Sequence, residues 1–186
     1  MKTLALMLFV VLMSFSTVAI AQSDVQSTSA APVPSEAQKS FEAMKTLAGE
    51  WEGVITVREM PELSVPVNVS LRVTSRGHAI VHEFQEAGTP LDPTKYDHPV
   101  TMLYVDEDQL TLVHYCDAGN RPRMTGTMSA DGKTFEFEFV DISGSMENHM
   151  HNSVFNIIDA NHHTEDWTFM MKDKPMHAHF DLVRAD

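Results

Sequence analysis

Apolar and polar residues alternate along most of this chain. Val65, Val67, Val69, Leu71 and Val73 interleave with Pro66, Asn68, Ser70, Arg72 and Thr74, and Phe135, Phe137 and Phe139 interleave with Glu136 and Glu138. A period of two gathers the apolar members on one face of a strand, so each run predicts a sheet with one buried face. Such runs recur from Trp51 onward and predict strands at 51–58, 65–74, 78–85, 100–105, 110–116, 122–128, 134–140, 149–158, 164–171 and 176–184. The one helical period is Phe41, Met44 and Leu47, preceded by a Ser35/Gln38 capping box and stopped at Gly49. The expected fold is all-β: an antiparallel up-and-down barrel of about ten strands with one short N-terminal helix. Counted alternately, the connections at 75–77, 106–109, 129–133 and 159–163 are short and turn-rich, and that end also receives the helix and Trp51. It is expected to be closed. The connections at 59–64, 86–99, 117–121, 141–148 and 172–175 fall at the other end, where the longer ones leave room for a ligand.

The first residues do not follow this pattern. Lys2 gives a positive start, Leu4 to Leu12 is continuously apolar, and Ala19-Ile20-Ala21 is a small-x-small cleavage pattern. This reads as a signal peptide over 1–21, cleaved after Ala21, with the protein exported to a periplasm or to the outside. The apolar run is too short for a stable membrane anchor. Residues 22–34, rich in Ser, Ala, Gln and Pro, read as a flexible leader, which leaves 35–186 as the barrel domain. The chain has 13 basic and 26 acidic residues, a formal net charge of −13, which disfavours nucleic acid as a partner. Cys116 is the sole cysteine, so no internal disulfide is available and stability rests on the core.

Leu47-Ala48-Gly49-Glu50-Trp51-Glu52-Gly53 places a helix, then Gly-x-Trp, at the start of the first strand. This segment resembles the calycin superfamily of lipocalins and fatty-acid-binding proteins, and is most similar to uncharacterised secreted bacterial lipocalin-like proteins. The resemblance implies a barrel over about residues 40 to 185 with structural roles for Trp51 and Gly53. More loosely, the chain is similar to the haem-binding nitrobindins. Their pattern continues with a second glycine two residues after Gly53, where this chain has Ile55.

Candidate chemistry follows from which face each residue occupies. Pairing Met128 with Phe135, Gly126 with Phe137 and Met124 with Phe139 gives one apolar inner face, and carrying it through 117–121 sets His114 opposite Met124. His114 and Cys116 then point inward near the open end, with Arg121 at the mouth as a partner for a ligand carboxylate. In the last three strands, pairing Phe155 with Trp167, His151 with Met171 and Met171 with Met176 puts His149 and His151 inside, about 7 Å apart on one strand face. It sends His177 and His179 outward, and leaves His162-His163 exposed in a closed-end turn. The expected ligand-binding set is His114, Cys116, Met124, Arg121, His149 and His151. Imidazole and thioether at His149, His151, Met171 and Met176 suit copper or an axial haem ligand. Plain polar lining by His and gap filling by Met is the favoured reading of such a mouth.

No nucleophile elbow, zinc spacing, P-loop or dinucleotide fingerprint occurs, so no catalytic residue is assigned. The leading expectation is an exported protein that binds a small, mainly apolar ligand in the barrel cavity. The alternatives are a haem or copper protein using the His/Met rim, a cavity enzyme with His114 as acid or base, and a filled barrel acting through its surface.

Overall fold

A computed structural model describes residues 33–185. The expected signal peptide (1–21) and all but the last two residues of the expected leader (22–34) lie outside the described residues. Helix α1 (Glu36–Met44) opens with the reciprocal capping box, in which Gln38 N–H donates to Ser35 Oγ while the Gln38 side chain accepts from Ser35 N–H. A 3₁₀ turn, Lys45–Leu47, leads into ten strands: β1 (Gly49–Val57), β2 (Met60–Thr74), β3 (Ala79–Glu86), β4 (Val100–Asp106), β5 (Gln109–Tyr115), β6 (Arg121–Met128), β7 (Thr134–Ser143), β8 (Asn148–Asp159), β9 (His162–Met171) and β10 (Lys174–Arg184). Every neighbouring pair is antiparallel, and β1 pairs with both β2 and β10, so the sheet closes into the expected barrel. Residues 59–64 are not a loop: β2 begins at Met60 and the first hairpin turns tightly.

The closed end is built around Trp51. It is buried, its indole Nε1–H donates to Leu47 O at 2.8 Å, and it packs in one cluster with Phe41, Met44 and Leu47. From the far end of the domain, the Arg184 guanidinium lies 4.2 Å from the Trp51 ring centroid, and its Nη groups donate to Ala48 O and Thr46 O. A cation over an indole face is held by the ring quadrupole, so this contact ties the last strand to the floor. Gly53 allows the same closure one step up. A Cβ there would lie 1.9 Å from Asp181 O, so only glycine lets β10 approach β1 this closely.

The register explains which faces were foreseen. Met128↔Phe135, Gly126↔Phe137 and Met124↔Phe139 are paired as expected. Elsewhere the strands are slid by two: Leu112, not His114, sits opposite Met124, Ser153 rather than Phe155 opposite Trp167, and Met176 opposite Phe169. A slide of two keeps every side chain on its face. The bulge between Met150 and Asn152 does not. It pairs Met150 with Phe169, packs Met150 against the core, and takes His149 off the inner face.

Candidate functional site

The lower barrel is packed solid. Ile80, Leu103, Leu112, Met124, Phe135, Phe137, Phe155 and Leu182 are 0% exposed, so no water-sized gap touches them. Toward the open end the inner face changes. Ile55, Val65, Phe84, Met150, Phe169, Met176 and Ala178 are only half-buried. Solvent therefore reaches into an apolar cup above a filled core. Phe84 and Phe180, with ring centroids 5.3 Å apart, form part of its floor.

Within the core, rising from His163 against the Trp51 ring at 4.2 Å, lies a polar cluster. Glu165 of β9 is fully buried and accepts from Trp167 Nε1–H at 2.9 Å, from His163 Nε2 at 3.1 Å, and from His82 Nε2 through both oxygens at 3.1 and 3.2 Å. Burial works against its charge. The positive field of His82 and the hydrogen bonds from His163 and His82 outweigh that and hold the carboxyl below its ordinary range. An ionised carboxylate only accepts, so both imidazoles present Nε2–H to it. Their Nδ1 atoms are buried and without partners. Sequence reasoning missed Glu165 and His82 altogether, and expected His163 to be exposed. It is 0% exposed, because β9 begins at His162 and its inward parity starts at His163. A signal was present: His163, Glu165 and Trp167 share one parity, as do Ile80, His82 and Phe84. Polar residues in phase with large apolar ones mark a wet chemistry placed in a dry face.

His114 completes the cluster from β5. It is buried, its Nδ1 lies 2.8 Å from Thr101 Oγ1 on the neighbouring strand, and its ring is 5.6 Å from Trp167, which is in turn 5.8 Å from His82. Burial, helped by the charge of His82, pushes His114 down to about 4, so it is neutral at pH 7. Its Nε2 has no hydrogen-bond partner among the described residues.

The other expected site residues scatter. Met124 is wholly buried in the core rather than lining a cavity. Cys116 leaves the inner face at the end of β5, donates to Asp117 Oδ1 at 3.4 Å, and lines a cleft of about 440 Å³ against residues 93–99. Burial raises its thiol to about 11, which removes the thiolate a nucleophile needs. Arg121 is exposed and donates to Ser143 Oγ at 3.2 Å. Met171 is 49% exposed and lines, with Met176, Lys172, Lys174 and Pro175, a pocket of about 700 Å³. Lys174, not Met176, stands opposite Met171. His177 and His179 face outward as expected, paired with Glu59 and Asp166.

His149 and His151 do come together, at the end of the β7–β8 seam. Ladder pairing between these strands ends at Glu138↔Asn152, and beyond it Phe139 stacks on His151 at 5.0 Å and lies 5.2 Å from His149. His149 is 4% exposed, and its Nε2 is 3.1 Å from His151 Nδ1. The bulge brings the rings this close. Buried Asn120 fixes the rim beside them by donating to Ser145 O and Asn148 O at 2.8 and 2.6 Å.

Closed topology, a helix and tryptophan at the shut end and a cup at the other make this a calycin-like barrel. Solved structures agree. Rv2717c from M. tuberculosis matches with a TM-score of 0.57 at 17% identity, over 79% of this chain and 98% of that one. The S-type phycobiliprotein lyase CPES from Guillardia theta matches with a TM-score of 0.55 at 12% identity, over 82% and 99%. A protein of unknown function from the DUF3598 family of Nostoc punctiforme matches at 0.50 and 8%, and this chain spans about half of its length. At these identities the likeness is one of fold. No protein-family profile matches the sequence, and no curated protein matches it significantly.

Proposed function

We propose that this protein is exported and binds a small, mainly apolar molecule in the open cup. The observation that carries this is the change in exposure along the inner face: apolar and half-open above, solid below. A cup of this lining gains from covering its apolar surface, and a few polar groups on its floor set orientation. The unpartnered His114 Nε2 supplies such a group, and Trp167, whose N–H is held by Glu165, offers an aromatic face. A ligand carrying one hydrogen-bonding group beside an apolar or aromatic body fits both. Export rests on the positive start, apolar run and Ala19-Ile20-Ala21 pattern of the first residues. The barrel fold, shared with a protein named a phycobiliprotein lyase, is compatible with small-molecule handling.

The test is titration of fatty acids, retinoids and haem into the mature protein, followed by tryptophan fluorescence. A saturable change is expected, because Trp167 lies at the floor of the cup, and His114→Ala should weaken it. Absence of binding by every probe at high micromolar concentration would leave the filled barrel as the correct reading. N-terminal sequencing of protein recovered from its own compartment should begin at Gln22.

A further inference from the structure

The geometry points to a metal-binding site made by His149 and His151 at the β7–β8 seam, suited to Cu²⁺. Three features of the pair support it. First, His149 Nδ1 lies 2.8 Å from Met146 O. A carbonyl only accepts, so Nδ1 carries the proton and Nε2 keeps its lone pair, the arrangement by which a backbone carbonyl prepares a histidine ligand. Second, that lone pair is held in a site 4% exposed, facing His151 Nδ1 at 3.1 Å. Two nitrogens bound to one ion at ordinary lengths, with an angle between square and tetrahedral, are about 2.9–3.4 Å apart. The rings already stand at that bite. Third, His151 is half-buried, so its proton can pass through solvent from Nδ1 to Nε2, and the freed Nδ1 exchanges the ring–ring hydrogen bond for a shared ion, while Phe139 on one side and the Met146 carbonyl hold His149 in place.

Imidazole nitrogen favours the late first-row divalent ions, and Cu²⁺ binds most tightly among them. No group of three or more His, Cys, Asp and Glu side chains converges among the described residues. The two rings are therefore the protein's share of the site, and water fills the remaining positions. Met170, not Met171 or Met176, stands opposite His149 across the ladder.

The experiment titrates Cu²⁺ alone into the mature protein and into three variants: His151→Ala, His149→Gln, and the outward pair His177→Ala/His179→Ala. Affinity is read by calorimetry and the ligand set by electron paramagnetic resonance. Expected is a single equivalent bound with nitrogen couplings from two imidazoles. Loss of either seam histidine should weaken it at least roughly tenfold, as even second-sphere changes do at metal sites, and the outward pair should leave it unchanged. His151→Ala removes a half-exposed ring, so it keeps the test decisive if His149→Gln does not fold. Binding unaffected by both seam variants, or abolished only by the outward pair, would overturn the site.

Discussion

The least expected single residue is Glu165, a fully buried carboxylate in the middle of the barrel with three donors. Glu165→Ala strands the Trp167, His82 and His163 N–H groups. It should cost about 3–5 kcal/mol in urea melts, the usual loss when one partner of a buried ionic set is removed. Replacing Glu165, His82 and His163 together by leucine or methionine should recover most of that, because no orphan remains. A single Glu165→Ala loss below about 1 kcal/mol would show that the network contributes little. His114 acts in a different pH range. Its folded value is near 4 against 6.5 when free, so the unfolded chain takes up a proton first as pH falls. Stability should therefore be level above about pH 6.5 and drop by up to about 3 kcal/mol toward pH 4. His114→Phe should flatten that slope in melts at pH 7, 5.5 and 4.5. Glu165 enters below this range: its folded value is depressed, so its contribution is lost only as pH falls under the free carboxyl value of about 4.3.

At the scale of strands, alternation made the faces legible and left the register open. Apolar periodicity says which side chains share a face, but pairings two residues apart satisfy it equally well. The turn chosen decides between them. The β9–β10 hairpin uses only residues 172–173, where 172–175 was the expectation, and that difference alone slides Met176 from Met171 to Phe169. His114 was placed inside correctly because its parity survives such a slide. His149 lost its parity because a bulge adds one residue to one strand, and the local sequence, Asn148-His-Met-His151, carries no glycine to announce it. Gly53 offers a direct check on the strand packing. Gly53→Ala pushes a methyl into the Asp181 carbonyl across the β1–β10 ladder and should cost about 1–3 kcal/mol, as overpacking does. A neutral result in urea melts would mean the two strands sit further apart than described.

For the whole molecule, the order of strands around the barrel separates two kinds of contact. Every neighbouring pair joins strands consecutive in sequence except β1 with β10. Hairpins close short loops and form early. The last pairing must close almost the whole domain, and its entropic cost is met only at the end. Folding should thus run as a ribbon of hairpins that remains open until Trp51 meets Arg184 and Gly53 meets Leu182. In stopped-flow experiments Gly53→Ala should speed unfolding and leave the folding limb nearly unchanged, because its contact is absent at the barrier. Equal slowing of folding would place closure in the transition state instead. The same seam then governs how long a folded molecule survives: the barrel opens there first, and a change elsewhere in the wall alters lifetime only through its effect on the opening of this one ladder.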